Sequence, residues 1–251
     1  MENRRYLWPL AIPTYGEEEA EAAAAVVRSG NTTCWELVAE FEARFAERVG
    51  AKHAVMCNSG SSANLLAAFA LRRFREDSTL WTVLVPALTW PTHVWAPLMA
   101  GFRVRLLDVS PLTLQITAAS AASARGPAGG EALLWTVHAL GIIGSEIPQS
   151  GTYGPLVTAE DCCDAFGATL GPHPLMRTWS TFLAHALSTM EGGVVTTDDD
   201  DMADDLRVLR AHGWTRNLSE TSAKRMIGDY SGDPRYAFVD WGLNVRPTEV
   251  A

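Results

Sequence analysis

Short apolar runs rich in β-branched residues alternate with longer amphipathic segments along this chain of 251 residues. HAVMC at 53–57, WTVLVP at 81–86 and GVVTT at 193–197 are typical of buried strands, whereas 35–48 and 61–74 have the spacing of amphipathic helices. This alternation predicts an α/β fold with a largely parallel sheet covered on both faces. The remaining predicted strands are 102–109, 131–140, 155–161 and 178–183, and the remaining predicted helices are 17–28, 92–101 and 201–213.

The charge balance is acidic, because 29 aspartates and glutamates outnumber 20 lysines and arginines and leave a net charge of -9. The only lysines are Lys52 and Lys224. This balance argues against a nucleic-acid or anionic-membrane surface. No apolar run could span a bilayer, and the opening MENRRYLWPLAIP lacks the long apolar stretch of a signal peptide. We therefore predict no nucleic-acid or membrane partner.

The four cysteines, Cys34, Cys57, Cys162 and Cys163, show no CxxC spacing. Neighbouring cysteines such as the last two rarely bridge each other, and a zinc or iron–sulfur centre would lack its ligands. The pattern favours reduced thiols in a cytoplasmic protein and predicts no metal site.

In α/β sheets, ligands bind where the loops at the carboxyl ends of the strands converge. That rule selects the loops at 57–62, 86–92, 161–168 and 180–193. In the first, Gly60 permits a tight turn, and the residues that follow it can offer free amides and hydroxyls to an anion at a helix N-terminus. The alternative is that Ser61 or Ser62 only caps the helix.

The other three loops add an acid, an aromatic ring and a histidine. Asp161 ends an apolar run and needs a partner, which could be a protonated heterocyclic nitrogen, an arginine or a helix cap. Trp90 could stack on a planar ligand or belong to the core. His185 could act as a base or be a hydrogen-bonded structural residue. Together with the anion loop, these residues are typical of a pyridoxal-type cofactor site.

The chain resembles the DegT/DnrJ/StrS family of sugar aminotransferases, which have the fold-type I architecture of pyridoxal-phosphate enzymes. The resemblance is carried by RSGNTTCWELVAEFEARFAERVGAKHAVMCNSGSSANLLA, VPALTW, EDCCDAFGAT, EGG, LRAHGW and GLNVRPTEV. It implies a three-layer large domain. In that family, the residue six positions before the EGG glutamate is the lysine that holds the cofactor as a Schiff base. Here His185 has that position, and no lysine lies between Lys52 and Lys224.

The same replacement defines a subgroup of 3-dehydratases that act on nucleotide-linked 4-keto-6-deoxyhexoses. The resemblance implies that pyridoxal or pyridoxamine 5'-phosphate binds non-covalently and that His185 moves the proton needed to expel the C3 hydroxyl. The segment RAHGWTRNLSETSAKRMIGDYSG at 210–232 has no cysteine. This is similar to the iron-free branch, in which glutamate restores the amine form of the cofactor.

Transferred by position, the family's cofactor contacts imply one role for each matching residue. Asp161 pairs with the pyridine nitrogen and Trp90 stacks on the ring. Asp164 occupies the place of a residue near the ring hydroxyl. The phosphate contacts are Gly60, Ser61, Ser180 and, from the partner subunit of a homodimer, Asn244.

The resemblance also predicts the domain organisation. Residues 1–30 form an N-terminal segment and 31–251 the cofactor-binding large domain. The chain stops at RPTEVA, where the family continues into a small C-terminal domain that helps to close the sugar site. An alternative function is therefore a catalytically inactive or truncated aminotransferase-like subunit that acts as a scaffold.

Overall fold

The computed structural model describes residues 11, 12, 14–74, 82–124, 132–144 and 157–251. Its centre is a seven-stranded sheet with the strand order β1-β7-β6-β5-β4-β2-β3. The strands are β1 (His53–Cys57), β2 (Thr82–Pro86), β3 (Arg103–Leu107), β4 (Ala132–Val137), β5 (Val157–Asp161), β6 (Met176–Ser180) and β7 (Gly193–Thr197). The helices are α1 (Glu17–Ser29), α2 (Glu36–Val49), α3 (Gly60–Phe74), α4 (Thr92–Met99), α5 (Ala118–Ser123), α6 (Asp200–Arg210) and α7 (Glu220–Ile227).

Strand direction brings the functional loops together. β7 runs antiparallel to both of its neighbours, β1 and β6. The pairings among β6, β5, β4, β2 and β3 are all parallel. Because β1 and β6 both oppose β7, they run in the same direction. The carboxyl ends of β1, β2, β4, β5 and β6 therefore meet at one edge of the sheet.

Helices cover the sheet on both faces, which makes three layers. α3, α4 and α6 pack with strand residues such as Val85, Trp135 and Val195 in the largest apolar core. On the opposite face, α2 packs against Met56 and Trp179, and α5 packs against a smaller cluster beside β2 and β4. The predicted three-layer, mostly parallel α/β architecture is confirmed.

Most predicted elements agree with the structure. The strands at 53–57 and 193–197 have the predicted bounds. The predicted strand 178–183 was wrong in its limits, because β6 is Met176–Ser180. After Ser180, the chain folds back on itself: the amide of Thr181 donates to the carbonyl of Gly192. The predicted strand residues 81, 131 and 155–156 lie outside the described residues.

The predicted division at residue 30 stays a prediction. α1 has no buried residue among those described, whereas the segment after it is tied to the end of the chain. The carboxylate of Glu249 accepts hydrogen bonds from the amides of Trp35, Leu37 and Val38 and so caps α2. Of the helices in the described ranges, none has the length and apolar character needed to cross a membrane.

Candidate cofactor site

Two polypeptide segments approach each other closely at the sheet edge where the loops meet. Gly193 begins β7 and pairs with Cys57 at the end of β1 and with Ser180 at the end of β6. A Cβ atom on Gly193 would collide with the backbone of Ser59. Glycine is therefore needed here for the loop after β1 to lie against the start of β7.

Gly60 and Ser180 lie close together at this edge of the sheet. A Cβ atom on Gly60 would lie 2.6 Å from the Cβ of Ser180 and 3.3 Å from the Sγ of Cys163, so a larger residue would displace the serine. The amide of Ser62 donates to the Oγ of Ser59 at 3.1 Å, so Ser59 is the residue that caps α3. Among the described residues, the amide and hydroxyl of Ser61 have no hydrogen-bond partner. They remain available to an anion at the positive end of the helix.

Asp161 ends β5 and is 4% exposed. Its Oδ2 atom faces the Nε2 of His93 at 2.8 Å and accepts from the Nδ2 of Asn64 at 3.0 Å. The hydroxyl of Thr178 also lies 3.3 Å from Oδ2. Its Oδ1 atom accepts from the amide of Cys163 at 2.9 Å. The partners of this carboxylate are therefore a histidine and neutral donors, not the arginine or helix cap that the sequence left open.

The environment keeps Asp161 ionised. Burial by itself raises the pKa of this carboxyl, but His93, the amide of Cys163 and the side chain of Asn64 lower it further than burial raises it. The pKa of Asp161 is therefore well below the ordinary range. A buried anion that takes up no proton at neutral pH is suited to binding a protonated ring nitrogen.

Trp90 lies in the loop between β2 and α4 and is 67% exposed, so it is not a core tryptophan. Its backbone carbonyl accepts from the amide of His93 at 3.1 Å at the start of α4. The indole ring is thus held on an anchored turn with its surface open to solvent. This arrangement leaves the ring free to stack on a planar ligand.

His185 lies in the turn that follows β6, where its amide donates to the carbonyl of Phe182 at 2.9 Å. Its Nε2 atom lies 3.4 Å from the Oδ1 of Asp164, and its side chain is 22% exposed. The other oxygen of Asp164 accepts from the amide of Leu140 at 3.0 Å. Within the described part of the chain, the Nδ1 atom of His185 is buried without a hydrogen-bond partner. The structure thus places His185 beside Asp164, and both belong to the predicted set of site residues.

Asn244 is exposed, and its Oδ1 accepts from the Nε of Arg246 at 3.2 Å. The next residue, Val245, accepts from the amide of Asn58 at 3.0 Å, so this segment lies against the loop after β1. Its predicted contact with the phosphate of a partner subunit stays a prediction.

Three residues that hold Asp161 were missed in the sequence. Asn64 lies four residues after Gly60, which places both on the same face of α3. His93 lies three residues after Trp90, on the first turn of α4, and Thr178 stands beside Asp161 in the register of β5 and β6. The helical spacing was a usable signal for Asn64, but the cross-strand neighbour becomes visible only once the sheet register is known.

A second buried polar cluster lies on the other face of β5. Glu160 accepts from the Nε of Arg177 at 2.6 Å, and His138 lies 3.6 Å from the same oxygen. Burial raises the pKa of Glu160, but His138 and Arg177 outweigh it, so the pKa is lowered. Ligand atoms of His138, Glu160 and Cys162 lie within 4.8 Å of one another, as a metal would require. Because Arg177 already supplies a cation to this carboxylate, the geometry supports an ion pair, and the absence of a metal site stays a prediction.

The chain is similar to known proteins over nearly its whole length. The model of the DegT/DnrJ/EryC1/StrS aminotransferase family matches residues 13–250. GDP-4-keto-6-deoxy-D-mannose 3-dehydratase of Yersinia pseudotuberculosis is 36% identical over 262 residues, covering 97% of this chain and 64% of that protein.

Two solved structures are similar to the same extent. One is a histidine-to-asparagine mutant of GDP-4-keto-6-deoxymannose-3-dehydratase with bound GDP-perosamine, with a TM-score of 0.84, 34% identity and coverage of 97% of this chain and 65% of that one. The other is the same dehydratase with a trapped PLP-glutamate geminal diamine, with a TM-score of 0.84, 33% identity and the same coverage. The chain spans slightly less than two thirds of the length of these relatives. It belongs to the DegT/DnrJ/EryC1/StrS aminotransferase family.

Proposed function

We propose that this chain binds pyridoxal or pyridoxamine 5'-phosphate without a covalent bond and serves the C3 dehydration of a nucleotide-linked 4-keto-6-deoxyhexose. One observation carries the proposal. His185, in the position of the family's Schiff-base lysine, lies 3.4 Å from Asp164 beside the end of β5, where a proton acceptor could act on a ligand held by Asp161.

Neither lysine of the chain is placed to form the missing covalent bond. Lys52 precedes β1 and pairs with Asp200 at 2.7 Å, with both side chains more than half exposed. It lies at the opposite end of the five-residue strand from Asn58, roughly 20 Å away at the usual rise per residue. Lys224 pairs with Glu220 at 2.7 Å on the exposed surface of α7. A cofactor in this site must therefore be held by non-covalent contacts.

The residues present fit such a cofactor. Gly60 lets the start of α3 lie close to Ser180, and Ser61 adds an unpaired amide and hydroxyl for a phosphate group. Asp161 offers an anion for the ring nitrogen, and Trp90 offers an open aromatic face. When bound, the cofactor would supply an electron sink for bond breaking on the sugar.

His185 supplies the proton transfer. The carboxylate of Asp164 lies 3.4 Å from Nε2, so one nitrogen of the ring is held by an acceptor. Imidazole can take and return protons near neutral pH, whereas a lysine in this place would hold the cofactor covalently. Asp164 acts by orienting the ring, and its second oxygen is fixed by the Leu140 amide.

The substrate and the amino donor are inferred from the relatives. One similar structure holds GDP-perosamine, and another holds an adduct of PLP and glutamate. We extend these observations to a GDP-linked 4-keto sugar as the substrate and to glutamate as the amino donor for this chain. The C3 hydroxyl leaves with a proton as water.

The assembly belongs to the same proposal. The segment around Asn244 lies against the loop after β1, and the Asn244 side chain is exposed, as a residue that reaches a neighbouring subunit should be. An isologous homodimer would complete two such sites at once. The four free cysteines and the acidic charge support a cytoplasmic protein without nucleic-acid or membrane partners.

The test is reduction with borohydride in the presence of pyridoxal phosphate. We expect the wild-type protein to gain no stoichiometric covalent cofactor by intact-mass spectrometry, whereas His185→Lys should gain one, together with a new visible absorbance band. His185→Gln is the matched control, because it changes the same position without adding an amine. Stoichiometric attachment to the wild-type protein would contradict the assignment of His185.

Activity is tested with GDP-4-keto-6-deoxymannose, pyridoxal phosphate and glutamate. We expect a product without the C3 oxygen, formed only when glutamate is present and lost in His185→Gln. If equilibrium dialysis shows no saturable binding of pyridoxamine phosphate at millimolar concentration, the non-catalytic scaffold becomes the better explanation.

A further inference from the structure

His93 connects the loop of the stacking residue to the buried acid. The side chain is 1% exposed and lies edge-on to Trp135, with ring centroids 6.0 Å apart. On one side, its Nδ1 atom faces the Oγ1 of Thr89 at 2.8 Å and the carbonyl of Trp90 at 3.2 Å. On the other side, its Nε2 atom faces the Oδ2 of Asp161 at 2.8 Å.

The hydrogen-bonding partners restrict where the ring carries its proton. An ionised carboxylate only accepts hydrogen bonds, so Nε2 must carry the hydrogen that points at Asp161. The Thr89 hydroxyl can donate, and it makes the shorter of the two contacts with Nδ1. A neutral ring with its hydrogen on Nε2 therefore satisfies both close contacts, from Thr89 through His93 to Asp161.

This arrangement leaves the two oxygens of Asp161 with different capacities to accept a further hydrogen bond. Oδ2 is occupied, because it lies within hydrogen-bond distance of His93, Asn64 and Thr178. Oδ1 accepts one hydrogen bond, from the amide of Cys163, and a carboxylate oxygen can accept two. The free position on Oδ1 faces no donor among the described residues.

We infer that Thr89 and His93 are positioning residues that hold Asp161 ionised without adding a permanent cation and leave its Oδ1 atom to receive a protonated ring nitrogen. This inference rests on the proposed function, since it assumes that Asp161 receives the ring nitrogen of the cofactor. A permanent cation in its place would neutralise Asp161 and oppose a second cation, whereas a histidine can hold the carboxylate as a neutral donor and leave the negative charge for the ligand. The contacts from Thr89 through His93 to Asp161, which we call the relay, also fix the Trp90 loop to Asp161.

The first experiment removes the hydrogen-bond donor of His93 to Asp161 and follows the protonation of the cofactor's ring nitrogen directly. We compare ¹⁵N NMR spectra of ring-labelled pyridoxal phosphate bound to wild-type protein, His93→Phe and His93→Gln. The wild-type nitrogen should resonate as protonated. His93→Phe should shift it toward the unprotonated value and weaken cofactor binding by about 10–100-fold, the usual effect of losing a supporting partner. His93→Gln, whose amide can still donate to Asp161, should restore most of both.

Two further variants separate the relay from general packing. Thr89→Val keeps the shape but removes the donor to Nδ1, and we expect a smaller loss of affinity than for His93→Phe, with recovery in Thr89→Ser. His173→Phe is the matched control, because this histidine bonds to Pro174 and Thr196 at the opposite end of β6. It should leave the ring-nitrogen signal unchanged. A folded His93→Phe protein with a wild-type ¹⁵N signal would overturn the inference.

The second experiment needs neither cofactor nor substitution. Long-range ¹H–¹⁵N spectra of the wild-type protein should show His93 neutral, with Nε2 protonated and Nδ1 not. A proton on Nδ1 alone, or on both nitrogens, would overturn the relay even if His93→Phe did not fold. If the wild-type protein does not bind pyridoxal phosphate, the proposed function fails, whereas the tautomer of His93 still decides the relay.

Discussion

Glu160 and Asp161 are consecutive residues of β5, and both carboxylates are buried, but they are held in different ways. Glu160 faces Arg177, a permanent cation that also donates to the carbonyls of Gly171 and Pro172. Asp161 is held by His93 and by neutral donors. The first carboxylate is neutralised within the protein, and the second keeps a charge that a ligand can meet. Burial alone therefore does not identify a binding residue, but the nature of its partners does.

The largest expected effect comes from breaking the neutralised pair. Arg177→Met leaves Glu160 buried without its cation, and we expect the free energy of unfolding to fall by about 3–5 kcal/mol, measured by urea denaturation. Adding Glu160→Leu should recover most of the loss, because the uncompensated charge is removed as well. If Arg177→Met lowers the free energy of unfolding by less than about 1 kcal/mol, solvent can replace the arginine, and the contrast drawn between the two carboxylates is wrong.

A smaller, pH-dependent effect is expected at Asp161. The pKa of this carboxyl is lowered in the folded protein, so its ionised form stabilises the fold at pH values above its ordinary unfolded pKa of about 3.9. That contribution is lost as the pH falls through the lower folded pKa. Asp161→Asn should therefore lower the free energy of unfolding by about 1–3 kcal/mol at pH 7, with the difference from wild type shrinking below about pH 4. Urea titrations across this range provide the measurement, and a pH-independent difference would contradict the role assigned to the charge.

The contrast between these two carboxylates was only partly predictable. The alternation of strand and helix patterns was enough to predict the α/β sheet and to place Asp161 at a strand end. The sequence pattern could not identify the partners of the two carboxylates. Arg177 and Thr178 become neighbours of β5 only through the register of β6, and the strand predicted there began at residue 178, two residues after its observed start at Met176. A cross-strand contact depends on register, and a short apolar run does not fix its own limits.

The loop after β1 was predicted to lead into a helix, as it does, but the residue that caps this helix was not predicted. The residue types of 57–62 were compatible both with an anion site and with helix capping by Ser61 or Ser62. The structure assigns the cap to Ser59 instead. Which of three neighbouring serines turns its hydroxyl toward the helix depends on backbone angles that Gly60 makes variable, so composition alone could not decide it. His93 was missed for a similar reason: a histidine in the first turn of a helix has many uses until its neighbours are known.

The smallest expected effect on stability separates capping from ligand binding within this loop. Ser59→Ala should lower the free energy of unfolding by about 0.5–2 kcal/mol, because it removes the acceptor for the Ser62 amide at the start of α3. Ser61→Ala should change it by less than about 0.5 kcal/mol, because its hydroxyl makes no hydrogen bond to the described residues. Ser61→Ala should instead weaken pyridoxal-phosphate binding by about tenfold, since a hydrogen bond to a charged acceptor is worth about 1.5–3 kcal/mol. Urea denaturation and cofactor titration of the two variants side by side measure both quantities. If Ser61→Ala destabilises the protein as much as Ser59→Ala and binds the cofactor normally, Ser61 serves the helix and not the anion.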